Sequence, residues 1–182
     1  MPPAIEQTMP VGCLAVLGIY LTVCVAVFWL TKSGVAVTVA LPALLLVAAV
    51  AVKFLYGLAL LLAVRRRWSR RGVRCLVVYS NSPAWETHIR TTWLPRLGDV
   101  AVAINWSERA SWTSTLAVRV FKRFCGQYRN FNPAVVVFRG LRRPYVFRFY
   151  NAFREAKAGR PQYLERLQTQ LFDALGIGGK AA

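Results

Sequence analysis

The chain has 182 residues, of which 56% are hydrophobic and 17% charged, and its formal net charge is +17. Disorder is excluded because disordered segments have low hydrophobicity, and four cysteines are too few for a secreted scaffold built on disulfides. A chain that is both this apolar and this basic is expected to be divided into a membrane part and a basic part.

The charge is concentrated after Val64. Residues 65–182 contain 22 of the 24 Lys and Arg and six of the seven acidic residues, which leaves a net charge of +16 (22 minus 6). The first 64 residues contain only Glu6, Lys32 and Lys53 as charged side chains. The sequence therefore predicts an N-terminal membrane anchor, preceded by a cytoplasmic tail over residues 1–10, and a basic soluble domain after it.

The first predicted element is a transmembrane helix over residues 11–31. These 21 residues are uncharged and largely apolar, and as a helix they extend about 31 Å, which matches a hydrocarbon core of about 30 Å. A cleaved signal peptide is the alternative interpretation. It needs a basic N-terminal region and a shorter apolar core, and residues 1–10 contain no Lys or Arg.

A second transmembrane helix with an interfacial extension is predicted over residues 35–64, antiparallel to the first. Because thirty helical residues are longer than the membrane core, this helix is expected to tilt, to kink near Pro42 or to continue past the membrane face. A span from Val35 to about Phe54 lets Lys53 reach the interface. Its register is left open, and an intramembrane functional charge at Lys53 is the other interpretation.

Residues 65–74 form a polybasic juxtamembrane linker with six Arg in ten residues. The positive-inside rule places this linker, and with two spans both termini, in the cytoplasm. We expect a multi-pass protein of the cell membrane, specifically a bacterial inner membrane. The linker is either a topology signal alone or also a surface for anionic headgroups, with Trp68 as an interfacial anchor. The predicted membrane-surface residues are Arg65, Arg66, Arg67, Trp68, Arg70, Arg71 and Arg74.

Residues 75–175 are predicted to form one cytoplasmic α/β domain with a mixed sheet, followed by a flexible tail over 176–182. The expected order is β-α-β-α-β-β-α, with the last two strands in a hairpin. Ser82 and Pro83 are expected to begin the first helix, and Ser107 to cap the second. The predicted strands are 73–79, 100–106, 134–139 and 145–150, and the last helix is 161–175.

This order resembles the thioredoxin-like fold over residues 73–175. The loop from Ser80 to Trp85 stands where that family carries a redox Cys-x-x-Cys, and Asn132-Pro133 stands at the position of the family's cis-proline. Because the loop contains no Cys, the resemblance implies the fold without thiol–disulfide exchange. A Rossmann-like three-layer arrangement is the structural alternative, although no Gly-x-Gly-x-x-Gly motif is present.

Ser82 and His88 are the candidate catalytic residues, as a nucleophile and its base. The competing interpretations are a helix cap for Ser82 and a solvated side chain for His88. An anion could also bind the backbone amides of the same loop at the start of the helix. The candidate residues for binding an anion or a partner are Ser80, Asn81, Ser82, Asn132, Arg139, Arg142, Arg143 and Arg148.

No metal site and no cofactor are predicted. The four cysteines have no metal-ligand spacing and are interpreted as small buried hydrophobic residues, Cys13, Cys24, Cys75 and Cys125. Aromatic residues interleave with the C-terminal arginines, which is typical of a nucleic-acid surface. Their spacing matches core positions, however, so a charge that faces the membrane is favoured over nucleic acid.

Two functions remain as hypotheses. The first is a non-enzymatic, redox-inert binding or scaffolding domain that contacts anionic lipid headgroups and an acidic protein partner at the cytoplasmic membrane face. The alternative is a membrane-anchored enzyme that acts on an anionic substrate at the Ser80 to Trp85 loop. The sequence predicts no substrate and no oligomeric state.

Overall fold

The computed structural model describes residues 34–126 and 131–177, with the backbone alone for 34–41, and six helical residues further upstream, 18, 21, 22, 25, 26 and 29. The predicted N-terminal tail and most of the first predicted span, 11–31, lie outside the described residues, as do 178–182 of the predicted C-terminal tail. The chain divides into two compact units, Met1–Gly57 and Leu58–Ala182, and each is described by itself.

The longest helix, α1 (Gly34–Arg67), covers the second predicted span and continues three residues beyond it. Pro42 lies within α1 without ending it. In the part of the chain that the structure describes, one helical stretch, Pro42–Arg71, is long and apolar enough to cross a membrane. Its consecutive residues Leu44, Leu45 and Leu46 are all exposed, so apolar side chains point outward around the helix, as in a helix that faces lipid.

The α/β domain is built on a four-stranded mixed sheet. Its strands are β1 (Cys75–Tyr79), β2 (Ala101–Asn105), β3 (Ala134–Val137) and β4 (Tyr145–Arg148). In the order β2-β1-β3-β4, β1 is parallel to β2 and antiparallel to β3, and β3 is antiparallel to β4. The predicted mixed-sheet α/β domain is confirmed. The Rossmann-like alternative is wrong, because that arrangement requires a mostly parallel sheet.

Helices cover both faces of this sheet, which explains why β1 is apolar throughout. Cys75, Val77 and Tyr79 face one buried cluster, whereas Leu76 and Val78 face another, and a central strand covered on both sides is typically a continuous apolar run. The covering helices are α2 (86–97), α3 (Leu116–Phe124), α4 (Tyr150–Lys157) and α5 (Gln162–Ala174).

The start of α2 differs from the prediction at Ser82 and Pro83. The helix begins at Glu86 and contains a π-helical turn, Ile89–Trp93. Residues 83–85 form a turn instead, in which the backbone N–H groups of Trp85 and Glu86 both donate to the Ser82 carbonyl, at 3.1 and 2.9 Å. The Ser82 Oγ accepts from the Ala84 N–H within this turn, before the helix begins, so the Ser82 side chain is not the helix cap.

Two further boundaries correct the predictions. After β2 the chain forms a 3-10 turn, Trp106–Ser111, which the Asn105 side chain caps by accepting a hydrogen bond from the Ser107 N–H. The second helix, α3, begins only at Leu116, and its cap is Thr115 in place of the predicted Ser107. The predicted strand 145–150 ends at Arg148, and α4 begins at Tyr150. Phe149 is fully buried at this junction and its N–H donates to the Pro133 carbonyl at 2.8 Å, so an apolar alternation that predicts a strand continues into a helix.

Candidate functional site

The two ends of the sheet carry different chemistry. At one end, β1 and β2 begin and β3 stops, because Cys75 pairs with both Ala101 and Val137. We name this the basic end, since nine exposed arginines from the linker and from the turn between β3 and β4 lie here. They are Arg65, Arg66, Arg67, Arg70, Arg71, Arg74, Arg139, Arg142 and Arg143.

Direct contacts bring the linker and the β3–β4 turn together at the basic end. The Phe138 N–H donates to the Arg74 carbonyl at 2.9 Å, and the Phe138 ring meets the Trp68 ring edge-on with centroids 5.5 Å apart. Gly72 permits this approach with a φ of 79°, which a residue with a Cβ rarely adopts. The structure therefore joins two arginine groups that are about 70 positions apart in the sequence.

None of these nine arginines forms an ion pair with a described carboxylate. Arg74 donates from Nη1 to the Leu175 carbonyl at 3.2 Å, and the Arg139 guanidinium lies 4.6 Å from the centre of the Tyr145 ring. The other seven make no side-chain hydrogen bond or ion pair with described residues. Their charge is thus available to a ligand outside the protein.

Trp68 corrects the predicted set of membrane-surface residues. Its side chain is only 8% exposed and belongs to a buried cluster with Val64, Leu76 and Val120. Burial in the domain core removes the ring from the membrane interface, so Trp68 does not act as an interfacial anchor. It instead fixes the last turn of α1 to the domain, and that contact determines where the neighbouring arginines lie.

The opposite end of the sheet collects the other predicted residues, and we name it the polar end. Here β1 and β2 stop and β3 begins, because Tyr79 pairs with Asn105 and Val78 with Ala134. The polar end comprises Ser80, Asn81, Ser82, Asn105, Ser107, Glu108 and Asn132.

Asn105 organises the polar end. It is the only buried polar side chain among the described residues, at 8% exposure. Its Nδ2 donates to Asn81 Oδ1 at 2.7 Å and to Glu108 Oε1 at 2.8 Å, and its Oδ1 accepts from the Ser107 N–H at 3.0 Å. The Asn81 N–H in turn donates to Ser107 Oγ at 3.0 Å. These bonds tie the loops after β1 and β2 together.

The serines of the Ser80 to Trp85 loop are also hydrogen-bonded within the protein. Trp85 Nε1 donates to Ser80 Oγ at 3.2 Å, and the Ala84 N–H donates to Ser82 Oγ at 3.4 Å. The Trp85 ring packs edge-on against Tyr150, with centroids 6.0 Å apart. The side chains that were predicted to bind an anion therefore stabilise the loop.

His88 packs away from Ser82. The ring meets Phe153 and Trp93 edge-on, with centroids 5.5 and 6.1 Å apart, and Nε2 lies 2.7 Å from Nε2 of Gln168 in α5. Because an amide nitrogen only donates, His88 Nε2 accepts here. Burial lowers the pKa of His88 from its ordinary value of 6.5. No hydrogen bond joins His88 to Ser82 in the described region, so the structure does not form the candidate catalytic pair.

The last two predicted residues, Asn132 and Arg148, both lie at the polar end of the sheet. Asn132 is partly buried beside β3, its Oδ1 has no hydrogen-bond partner among the described residues, and the Asn132–Pro133 peptide bond is cis. Arg148 ends β4 and pairs with Ala134, which places it at the polar end. The predicted arginine set is therefore divided between the two ends of the sheet.

The two described cysteines are buried thiols. Cys75 in β1 and Cys125 after α3 are both fully buried and free. Burial raises the pKa of each thiol to about 12, so the reactive thiolate is scarce near neutral pH. Both residues act as small core hydrophobes, as predicted, whereas Cys13 and Cys24 lie outside the described residues. No three His, Cys, Asp or Glu of the described residues come together as metal ligands.

Comparison of this chain with protein-family models, with curated proteins and with solved structures found no match.

Asn105 and Glu108 were not among the predicted site residues, and Ser107 was predicted only as a helix cap. The signal that could have found them is Asn105 itself, a polar residue at the end of the apolar run from Val100 to Trp106. A buried amide must find hydrogen-bond partners, and the residues nearest to it after both parallel strands are polar. The position of Trp68 had no such signal, because an aromatic residue beside arginines is typical of both an interface and a core.

Proposed function

We propose that the chain is a two-span membrane protein of the bacterial inner membrane with both termini in the cytoplasm, and that it presents a basic, redox-inert binding or scaffolding domain at the cytoplasmic membrane face. In this proposal, residues 11–31 and α1 form the hairpin anchor. The arginines of the basic end hold the domain against anionic lipid headgroups.

The observation that carries the proposal is the position of six arginines, within residues 65–74, directly after the apolar part of α1, with the three arginines of the β3–β4 turn brought beside them by the bond from the Phe138 N–H to the Arg74 carbonyl. Val64 is 1% exposed within a buried cluster of the domain, so α1 has left the lipid by that residue. A span from Val35 to about Phe54 is about 30 Å long, as the hydrocarbon core requires. Lys53 then lies within reach of the interface, and α1 tilts so that residues 55–64 form the predicted interfacial extension, in which Ala59 and Leu62 contact lipid. The arginines follow this extension.

The expected attraction is electrostatic and additive. A cation close to an anionic leaflet contributes about 1 kcal/mol, so several arginines together suffice to orient a tethered domain. Because exposed charges are screened over about 8 Å at physiological ionic strength, this attraction weakens as salt is added. Exposed arginines on the β3–β4 turn that do not contact lipid are also available to an acidic protein partner.

We also propose that the domain has a thioredoxin-like fold. The order of its first six elements, β1-α2-β2-α3-β3-β4, supports this, as does the antiparallel pairing of β3 with β4. Helix α4 is an addition to the order implied by the resemblance. A domain of this kind without a reactive thiol is suited to binding, since the loop that would carry the redox cysteines is closed by its own hydrogen bonds.

The geometry favours this proposal over the alternative of an enzyme at the Ser80 to Trp85 loop. In that loop the two serine hydroxyls accept hydrogen bonds from the protein, and His88 contacts Gln168 and aromatic rings. A nucleophile and its base need to be within hydrogen-bond reach of each other. The described contacts provide a stable loop in place of that pair.

The proposal is tested with a fluorophore on the basic end of the full-length protein in lipid nanodiscs. Leu141→Cys places the label on the exposed β3–β4 turn, in a background with Cys13 and Cys24 replaced by alanine, and the nanodisc lipids carry a quencher. We expect strong quenching with phosphatidylglycerol in the nanodisc, weak quenching with phosphatidylcholine alone, and loss of the difference at high salt.

The matched control carries the same label at Ala110, an exposed residue in the 3-10 turn that follows β2 at the polar end. This label is expected to respond little to lipid charge, because the basic end faces the membrane. Equal responses of the two labels, or no response to phosphatidylglycerol at position 141, would contradict the proposal.

A further inference from the structure

The last turns of α1 have two faces with different surroundings. Val64 and Trp68 lie on one face and are buried in the domain core. Ala59 and Leu62 lie on the other face and are exposed. The spacing of three and four residues continues from Leu62 along this exposed face, so apolar and basic side chains form one column.

The exposed face carries a surface depression of about 540 Å³, lined by Leu62, Arg65, Arg66, Ser69 and Arg70. This volume falls within the range of about 300–1,000 Å³ that is typical of small-molecule sites. The lining residues follow one another along the chain, with the apolar Leu62 first and three arginines and a serine after it. All five residues belong to the unit Leu58–Ala182.

The three arginines of this depression have no competing anion within the described protein. Arg65, Arg66 and Arg70 are exposed and form no ion pair with a described carboxylate. Arginine binds phosphate oxygens with two parallel N–H donors, and these charge-assisted bonds are stronger than neutral ones. Ser69 adds a hydroxyl that can donate to the same group.

We propose that this depression is a binding site for the headgroup of one anionic phospholipid. The phosphate contacts Arg65, Arg66 and Arg70, Ser69 donates to a phosphate oxygen, and the acyl chains run along the column of Leu62 and Ala59. Basic pockets at the cytoplasmic end of membrane helices are known to take such headgroups. The inference rests on the proposed membrane insertion of α1, and it adds a discrete site to the general attraction of the basic end.

The test measures lipid binding to the delipidated full-length protein in mild detergent by native mass spectrometry. With phosphatidylglycerol as the probe, we expect one lipid per chain to bind about tenfold more tightly than phosphatidylcholine. The combined variant Arg65→Gln, Arg66→Gln, Arg70→Gln is expected to lose that preference, a loss of at least about tenfold in affinity for phosphatidylglycerol.

The chain supplies a matched control for charge. Arg139→Gln, Arg142→Gln, Arg143→Gln also removes three cations from the basic end, and it leaves the depression intact. We expect this variant to bind phosphatidylglycerol within about twofold of the unmodified protein, because its arginines do not line the site. Equal affinities of the two triple variants would overturn the inference, since charge alone would then account for binding.

Competition with inorganic phosphate distinguishes a lipid headgroup from a soluble anion as the ligand. Millimolar phosphate is expected to leave the bound lipid in place, because it lacks the acyl chains that contact Leu62. Displacement by phosphate would overturn the lipid assignment in favour of a soluble anion.

If the first triple variant does not fold, Arg70→Gln alone, which lies outside α1, is expected to weaken binding about fivefold, and unchanged binding by that variant would overturn the inference.

Failure of the proposed function is measured separately from failure of this inference. It would appear in the quenching of the label at position 141, which reports how the domain lies on the bilayer, and not in the stoichiometry of bound lipid. A protein that shows salt-dependent quenching but no preference for phosphatidylglycerol in the depression would retain the proposed function and lose this inference.

Discussion

The basic and polar ends of the sheet are both rich in hydrogen-bonding side chains, yet they use them in opposite ways. At the polar end, Asn105 bonds to two other side chains and to a backbone N–H, and the serine hydroxyls accept from Trp85 and Ala84. At the basic end, the side chains of seven of the nine arginines form no hydrogen bond or ion pair with a described residue. Polar groups bonded inside the protein stabilise structure, whereas unpaired exposed cations are available for binding.

The difference also shows why the chemistry of a loop does not follow from its composition. Ser80, Asn81 and Ser82 have the residue types of an anion site, but their side-chain and backbone groups take part in holding two loops together. An anion bound by the Asn81 N–H or by the buried Asn105 amide would have to replace the bonds that these groups make, and a buried polar group left without a partner costs about 1–3 kcal/mol. The arginines require no such exchange.

The largest effect is expected from Trp68→Ala, which tests how the basic end is attached to α1. Trp68 is buried against the domain core and contacts Phe138, and truncating a buried tryptophan costs about 3–5 kcal/mol. We expect a loss of this size in the free energy of unfolding of the domain, measured by urea denaturation of the full-length protein in detergent.

Arg71→Ala is the control for Trp68→Ala, because Arg71 lies three residues away, is exposed, and its side chain makes no hydrogen bond or ion pair with a described residue. It is expected to change the free energy of unfolding by less than about 0.5 kcal/mol. If both substitutions had small effects, Trp68 would be an interfacial residue and the description of the basic end would be wrong.

The sequence was sufficient to predict most of the domain. Apolar runs predicted all four strands, and the mixed sheet followed from a hairpin at the end of an α/β alternation. Helix α4 was missed because the residues from Tyr145 to Tyr150 alternate as a strand does, while the turn at Phe149 depends on its burial and on the distant Pro133 carbonyl. The local pattern of apolar residues contains no information about a contact with a residue so far away in the sequence.

The two candidate sites were predictable to different extents. The charge of the linker is local and was found, whereas its union with Arg139, Arg142 and Arg143 depends on the pairing of Phe138 with Arg74. The loop at Ser80 was found from residue types. The partners of its serines are local, but those of Asn81 are Asn105 at the end of β2 and Ser107 after it, more than twenty residues later. Contacts between distant parts of the chain therefore decided the union of the arginines and the closure of the loop at Asn81.

A smaller loss is expected from Asn105→Ala, which tests whether the polar end is held by its own hydrogen bonds. The substitution leaves Asn81 Oδ1, Glu108 Oε1 and the Ser107 N–H without the amide that bonds them. We expect the free energy of unfolding to fall by about 2 kcal/mol, measured by the same denaturation.

Glu108→Gln is the conservative partner of Asn105→Ala, since its amide oxygen still accepts from Asn105 Nδ2, and it should cost less than about 1 kcal/mol. An unchanged stability in Asn105→Ala would mean that these bonds do not hold the loops. The polar atoms would then be available to a ligand, and the contrast between the two ends would fail.

The smallest effect concerns His88, whose role separates packing from catalysis. Burial lowers its pKa from the ordinary 6.5, so as the pH falls through 6.5 the unfolded chain binds a proton before the folded chain does, and stability decreases until the pH passes the folded-state pKa. Above pH 7 both states are neutral and this loss is absent.

His88→Gln removes the titration, so the difference in free energy of unfolding between the two proteins should be constant above pH 7 and should shift against the unmodified protein below 6.5. A difference that does not change with pH would mean that His88 titrates as an exposed residue, free of Gln168 and Phe153.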